Sequence, residues 1–278
     1  MDWVMIILFI LTGIAVGFVG SLLGAGGGFI MIPILNLLFG FEIHYAIGTS
    51  LFTIIFTSLS SSFRYLRKRI VDTLLGATMI PFTIIGAIIG ANISAIIPGN
   101  ILKAVFGIVL FIASIRMFLK ENQRKDSPPQ SSKLANFKFL SFNRTFTDYD
   151  GKIHEYVINI PLLALFGFFS GLMSGLLGIG GGVILVPVLN LIFGVPIHIT
   201  IATSLFIIIF TSSFGTLTHL FLGNVLLTVA IFIAMGTIIG GQIGAHTSLK
   251  IESGILRKIF AVVLVFTGIR MFISIFSI

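Results

Sequence analysis

The chain has 278 residues, of which 56% are hydrophobic and only 9% charged, and its mean hydropathy is +1.15. That is too little charge to coat a soluble domain of this length, so a soluble globular protein is excluded. The net charge of +8 does not point to nucleic acid, because the 17 basic residues sit mostly between apolar runs; the absence of cysteine removes disulfides, thiolate metal sites and cysteine nucleophiles.

The first apolar stretch, Trp3 to Phe39, is interrupted by Gly24-Ala25-Gly26-Gly27-Gly28. It lacks a basic leader and runs straight on, so it reads as membrane domain and not as a cleavable signal. Its 37 residues are too many for one span and too few for two. Three helix-length segments follow: His44 to Phe63, Val71 to Ile97 and Ile101 to Leu119. Residues 120–156 are a polar linker containing Pro128-Pro129. The alternation around Asn143 to Tyr149 and the turn signal Asp150-Gly151 predict a small β-hairpin there. From 157 the series recurs as Val157 to Phe193, His198 to Leu217, Leu222 to Leu249 and Ile255 to Ser274.

The recurrence is a duplication. Leu22 to Ser58 lies on Leu176 to Ser212 at a constant offset of 154 residues, with 25 of 37 positions identical. Gly24, Gly26, Gly27, Gly28, Pro33, Asn36, His44, Thr49, Ser50, Thr57 and Ser58 match Gly178, Gly180, Gly181, Gly182, Pro187, Asn190, His198, Thr203, Ser204, Thr211 and Ser212. The expected fold is an all-α polytopic membrane protein of two homologous repeats, 1–119 and 157–278. Each has a glycine-broken re-entrant helical hairpin and about three membrane-spanning helices.

Loop charge bears on orientation. Arg64, Arg67, Lys68 and Arg69 follow the second segment of the first half, whereas the matching loop at Leu217 to Gly223 has no Lys or Arg; Lys250, Arg257 and Lys258 mark the next loop instead. Inverted repeats satisfy this, with a cytoplasmic linker and both termini outside. Eight simple spans in parallel repeats, with both termini inside, are the alternative.

The glycine clusters are the candidate site. Glycine permits a sharp bend, and broken backbone at membrane depth must be buried in protein or line a wet cavity. N–H groups at the start of the second helical limb carry its positive dipole end and can hold an anion without a buried lysine. The assigned donors are Gly24, Gly26, Gly27, Gly28 and Gly178, Gly180, Gly181, Gly182, with the hydroxyls of Thr49, Ser50, Thr203 and Ser204. Asn36, His44, Thr57, Ser58, Asn190, His198, Thr211 and Ser212 are assigned to gating or the surrounding shell. The competing reading is close packing, as for Gly86-x-x-x-Gly90 and Gly236-x-x-x-Gly240-x-x-x-Gly244. Nucleotide-loop readings fail, because no strand precedes the glycines and no Gly-Lys-Ser/Thr follows.

At these residues the chain resembles the TauE/SafE family of membrane anion exporters. The resemblance rests on the paired G-x-G-G-G elements with a downstream proline, on His44 with Gly48-Thr49-Ser50-Leu51, and on the echo at His198 with Ala202-Thr203-Ser204-Leu205. It covers both membrane halves and leaves out the linker. It implies export of sulfite or a short organosulfonate. A distantly similar group of thiosulfate importers uses cysteines along the path, and this chain has none.

Arg116 and Arg270 match at segment ends and read as interfacial anchors. Arg64 pairs with Thr218 across the repeat, Asn92 with His246, and Glu42, beside His44, with Pro196. No Asp or Glu sits in mid-segment, which argues against a carboxylate proton relay or hard-cation site and suits an anion route. The expected protein is therefore a multi-pass plasma-membrane secondary transporter for a small anion. It is no enzyme, takes no cofactor or metal, and its partners are the lipid bilayer and the anion. An anion-selective channel and a membrane assembly factor are the competing classes.

Overall fold

The computed structural model describes residues 2–119, 140–147 and 151–273. The linker stretch 120–139, including Pro128-Pro129, lies outside the described residues, as does Asp150 of the expected turn. Among the described residues there are ten α-helices and one two-stranded sheet. The first half holds α1 (Trp3–Leu23), α2 (Gly28–Pro33), α3 (Ile43–Arg67), α4 (Thr73–Ser94) and α5 (Gly99–Leu119). Then come β1 (Ser141–Thr147) and β2 (Ile153–Asn159), followed by α6 (Ile160–Leu177), α7 (Gly182–Pro187), α8 (Ile197–Phe221), α9 (Leu227–Ser248) and α10 (Ser253–Ile273). The bounds of α2 to α5 and α7 to α10 correspond residue for residue at the 154 offset.

Six helices are long and apolar enough to cross a membrane: α1, α3, α4, α6, α8 and α9. Large apolar side chains such as Ile85, Ile89, Phe111, Ile231, Ile239 and Phe266 point outward. The interior holds many glycines, serines and threonines among its buried Leu, Ile and Phe. This is the distribution expected where lipid is the solvent and small residues let helices approach.

The 37-residue stretch resolves into two unequal limbs. α1 has 21 residues, about 31 Å of helix, and the limb 28–38 has 11, about 16 Å. Gly24 and Gly178 close α1 and α6 in the left-handed conformation, at φ +75 and +71. Pro33 and Pro187 end α2 and α7, and each is followed by a five-residue π-helical turn, 34–38 and 188–192. A proline has no N–H to give to the carbonyl four residues back, and a widened turn accommodates that loss. The limb returns to the level of the second turn of α1, since Phe9 lies 4.8 Å from Phe39, ring centroid to centroid.

Several boundaries differ from those read in the sequence. α9 starts at Leu227 instead of Leu222, because Gly223 takes φ +73 and turns the chain after α8. Helix α4 starts at Thr73, because Asp72 caps it by accepting from the N–H groups of Leu74 and Leu75, both at 3.1 Å. The hairpin is present, with Ser141 opposite Asn159 and Thr147 opposite Ile153. Its second strand runs through residues 157–159, which the sequence assigned to the membrane. Asn159 then caps α6, and Pro161 occupies the first turn.

Side-chain pairings fix the helix directions. Near the start of α3, Thr49 accepts from Leu226 N–H beyond the end of α8 (3.0 Å). Near the start of α8, Thr203 accepts from Asp72 N–H beyond the end of α3 (3.0 Å). Helices α3 and α8, equivalents of one another, therefore run antiparallel. Each first helix packs on the other half. Gly236, Gly240 and Gly244 of α9 lie against Ile10, Ile14 and Phe18 of α1, rising together, and Gly86 and Gly90 of α4 lie against Phe168 and Leu172 of α6. These pairs run parallel, and the glycine spacing serves close packing, as the sequence suggested. Helix α1 starts, and α10 ends, on the face opposite the hairpin.

Candidate functional site

The two glycine elbows meet in the centre of the bundle. A Cβ on Gly28 would stand 2.4 Å from Gly178 O, and one on Gly182 would stand 2.4 Å from Ala25 Cα and 2.6 Å from Gly24 O. Gly26 lies against Ile54 of α3 and Gly180 against both Ile54 and Ile208 of α8, so the elbows sit where α3 and α8 cross. All of residues 24–28 and 178–182 are buried. In this conformation the elbows are closed on each other, with no room for a side chain between them.

The N–H groups divide into two sets. Gly26 N–H is already given to Gly20 O (3.1 Å), and those of Gly24 and Gly178 go to Ser21 O and Ser174 O. Among the described residues, no backbone acceptor takes the N–H of Gly27, Gly28, Gly180, Gly181 or Gly182. The donor set read from sequence is thus narrower in the first elbow than in the second.

The four hydroxyls next to the elbows hold the halves together. Ser50 donates to Gly178 O (2.7 Å) and Ser204 to Gly24 O (2.6 Å), each reaching into the other half. Thr49 and Thr203 accept the cross-half N–H bonds given above. The repeated Thr-Ser pair is therefore one device used twice, in which threonine receives and serine gives.

The remaining candidates lie around this centre. Asn36 and Asn190 donate to Phe41 O (2.7 Å) and Val195 O (2.8 Å), each closing the return loop of its own limb. His44 bridges Glu42 (3.2 Å) and Ile97 O (3.1 Å) at the face opposite the hairpin, while His198, its equivalent, lies by sequence on the hairpin face. Thr57 bonds back to Thr53 O, and Thr211 reaches Thr83 of α4 (2.8 Å). Ser58 and Ser212 are fully buried, and their hydroxyls have no hydrogen-bond partner among the described residues. Arg64 meets His246 Nδ1 of α9, and Gln242 donates to Ser60 O.

One cluster went unread in the sequence. Asp72 is fully buried and accepts two bonds from Arg144 of β1 (3.0 and 3.1 Å) and one from the Tyr156 hydroxyl of β2. Burial alone would push its carboxyl up; Arg144, Tyr156 and the Leu75 N–H outweigh burial and hold it below the usual carboxylate value. Asp72 was legible only as a loop acid, because its partner lies 72 residues away in the linker. Among the described residues, no group of three or more His, Asp or Glu side chains could hold a metal ion.

Residues 9–271 match the family model described as Sulfite exporter TauE/SafE. The chain is 32% identical over 272 residues to the probable membrane transporter protein YunE of Bacillus subtilis (strain 168), covering 95% of this chain and 96% of that one. It is 28% identical over 282 residues to the probable membrane transporter protein MJ0441 of Methanocaldococcus jannaschii, covering 95% and 94%. A third relative, the probable membrane transporter protein YdhB of Bacillus subtilis (strain 168), is 26% identical over 253 residues, covering 91% and 93%. No solved structure matches.

Proposed function

The chain belongs to the sulfite exporter TauE/SafE family, and from that premise we propose that it exports a small oxyanion, sulfite or a short organosulfonate, by alternating access. One observation carries this reading: two equivalent elbows meet where α3 and α8 cross, each with N–H groups that no backbone acceptor among the described residues takes. When the elbows part, an anion enters between them and takes the N–H groups of Gly27, Gly28, Gly180, Gly181 and Gly182. Ser50 and Ser204 then turn from the elbow carbonyls to the anion, so binding substrate loosens the contact between halves. Gly24 and Gly178 supply the bend. No lysine or arginine is needed at the centre.

Antiparallel α3 and α8 support the reading that the repeats are inverted in the membrane. Among the described residues, Arg64, Arg67, Lys68, Arg69, Arg144, Lys152, Lys250, Arg257 and Lys258 lie toward the hairpin face, against Lys103 and Arg270 toward the other. The hairpin face is then cytoplasmic, in the cell membrane. An inside-negative potential drives anion exit by about 2.3 kcal/mol per charge per 100 mV.

The test is counterflow in proteoliposomes. Vesicles preloaded with unlabelled sulfite should accumulate labelled sulfite saturably, with sulfoacetate competing and acetate not. Flux that neither saturates nor responds to the trans anion would mark a channel. No flux of any tested anion from folded protein would defeat the exporter reading and favour an assembly role.

A further inference from the structure

The strip of α3 that covers the elbows continues past them as hydroxyls. Ser50, Ile54, Ser58 and Ser62 follow one another at four-residue spacing, so they are successive neighbours along one side of the helix. Their equivalents on α8 are Ser204, Ile208, Ser212 and Thr216. The inner members are accounted for: the serines bond elbow carbonyls, and Ile54 and Ile208 lie on the glycines. The outer members are not. Ser58, Ser62, Ser212 and Thr216 are 0%, 1%, 0% and 3% exposed, and among the described residues none of the four hydroxyls has a hydrogen-bond partner.

Orphan hydroxyls are costly in a buried site and call for water or a ligand. The neighbouring polar groups are spent elsewhere. Ser60 and Ser61 bond carbonyls of α9, and Thr211 bonds Thr83 of α4. Because α3 and α8 are antiparallel, Ser58 and Ser62 lie between the elbows and the hairpin face, and Ser212 and Thr216 between the elbows and the opposite face.

We propose that these two hydroxyl pairs line the two halves of the anion path, and that Ile54 and Ile208, closed over the elbow glycines, are the gate between them. The occupant is a small hydrated oxyanion, which each pair serves as donor while water is shed. The inference rests on the transport reading above but places the path along α3 and α8, on residues that reading does not use.

The natural absence of cysteine makes the test direct. Ser58→Cys, Ser62→Cys, Ser212→Cys and Thr216→Cys would be exposed in membrane vesicles to a methanethiosulfonate carrying an ethylsulfonate. Thr57→Cys and Thr211→Cys are the controls, equally buried but with hydroxyls already bonded, to Thr53 O and to Thr83. The four path positions should react at least about tenfold faster than the controls, the α3 pair from the hairpin side and the α8 pair from the other. Equal rates at path and control positions overturn the proposal. If the cysteine variants do not fold, Ser58→Ala and Ser212→Ala decide it. They break no hydrogen bond, so melting temperature should hold while anion transport falls by about tenfold or more. Unchanged transport in both overturns it. Fast labelling without sulfite flux would leave the path standing and defeat only the substrate; sulfite flux with labelling equal to the controls would do the reverse.

Discussion

Asp72 and Leu226 occupy equivalent positions in the two halves, and their contrast separates what the duplication preserves from what it does not. Each gives its backbone N–H to a threonine of the opposite half. There the likeness ends. Asp72 also holds the hairpin through Arg144 and Tyr156, whereas a leucine can hold no such partner. Backbone-directed bonds recur in both halves and build the two-fold centre. The charged contact of Asp72 occurs in one half alone and makes the two ends of the bundle different. The difference sits at the rim while the centre stays symmetric.

The largest test of the symmetric part is steric. Gly28→Ala and Gly182→Ala each drive a Cβ to within 2.4 Å of the other elbow's backbone, so the elbows cannot close as they do in this structure. Both variants should fail to give monodisperse protein in detergent, and to the same degree. Gly40→Ala, where nothing lies within 4 Å, should be recovered at the wild-type elution volume but slightly destabilised by its φ of +71. Recovery of only one elbow variant would show that the halves are unequal at the centre too.

The rim comes next. Asp72→Asn removes the charge opposing Arg144 and should cost about 2–3 kcal/mol, less than for a fully buried pair because the Arg144 side chain is 27% exposed. Leu226→Asn should cost far less, since no cation is held there. Thermal melts of the two variants measure the asymmetry. The same contact makes stability depend on pH. The folded Asp72 carboxyl titrates below its unfolded value of about 3.9, so its contribution is complete above that value and is lost as pH falls through the lower folded one. Melting temperature should drop across that acid window in the wild type and more shallowly in Asp72→Asn. Smallest are Ser50→Ala and Ser204→Ala, which leave a buried elbow carbonyl unsatisfied at about 1 kcal/mol each. Equal losses would uphold the symmetric centre.

The repeat, the membrane class, the elbows and the packing glycines were legible because each leaves a periodic trace in one dimension. The partners of the Thr-Ser pair were not. Ser50 meets Gly178 across 128 residues, and only the antiparallel placement of α3 and α8 reveals that the serine hydroxyl serves a carbonyl. The acid at 72 reads in the sequence only as one outside mid-segment, because nothing in its own neighbourhood signals that the linker returns to cover it. Helix ends were misplaced where a single glycine or a capping side chain, not hydropathy, decides them, as at Gly223 and Asp72.

The exchange of first helices has a consequence for synthesis. Helix α6 emerges when its partner α4 is already in the membrane and can dock at once. Helix α1 must wait for α9, whose first residue follows the end of α1 by 204 positions. For most of translation the side of α1 that carries Ile10, Ile14 and Phe18 lies bare to lipid or to a chaperone, and it finds its seat only when α9, the ninth of the ten helices, is made. Assembly of the two halves is therefore ordered in time even though the finished pair is nearly interchangeable, and a lesion in α9 strands the first helix made.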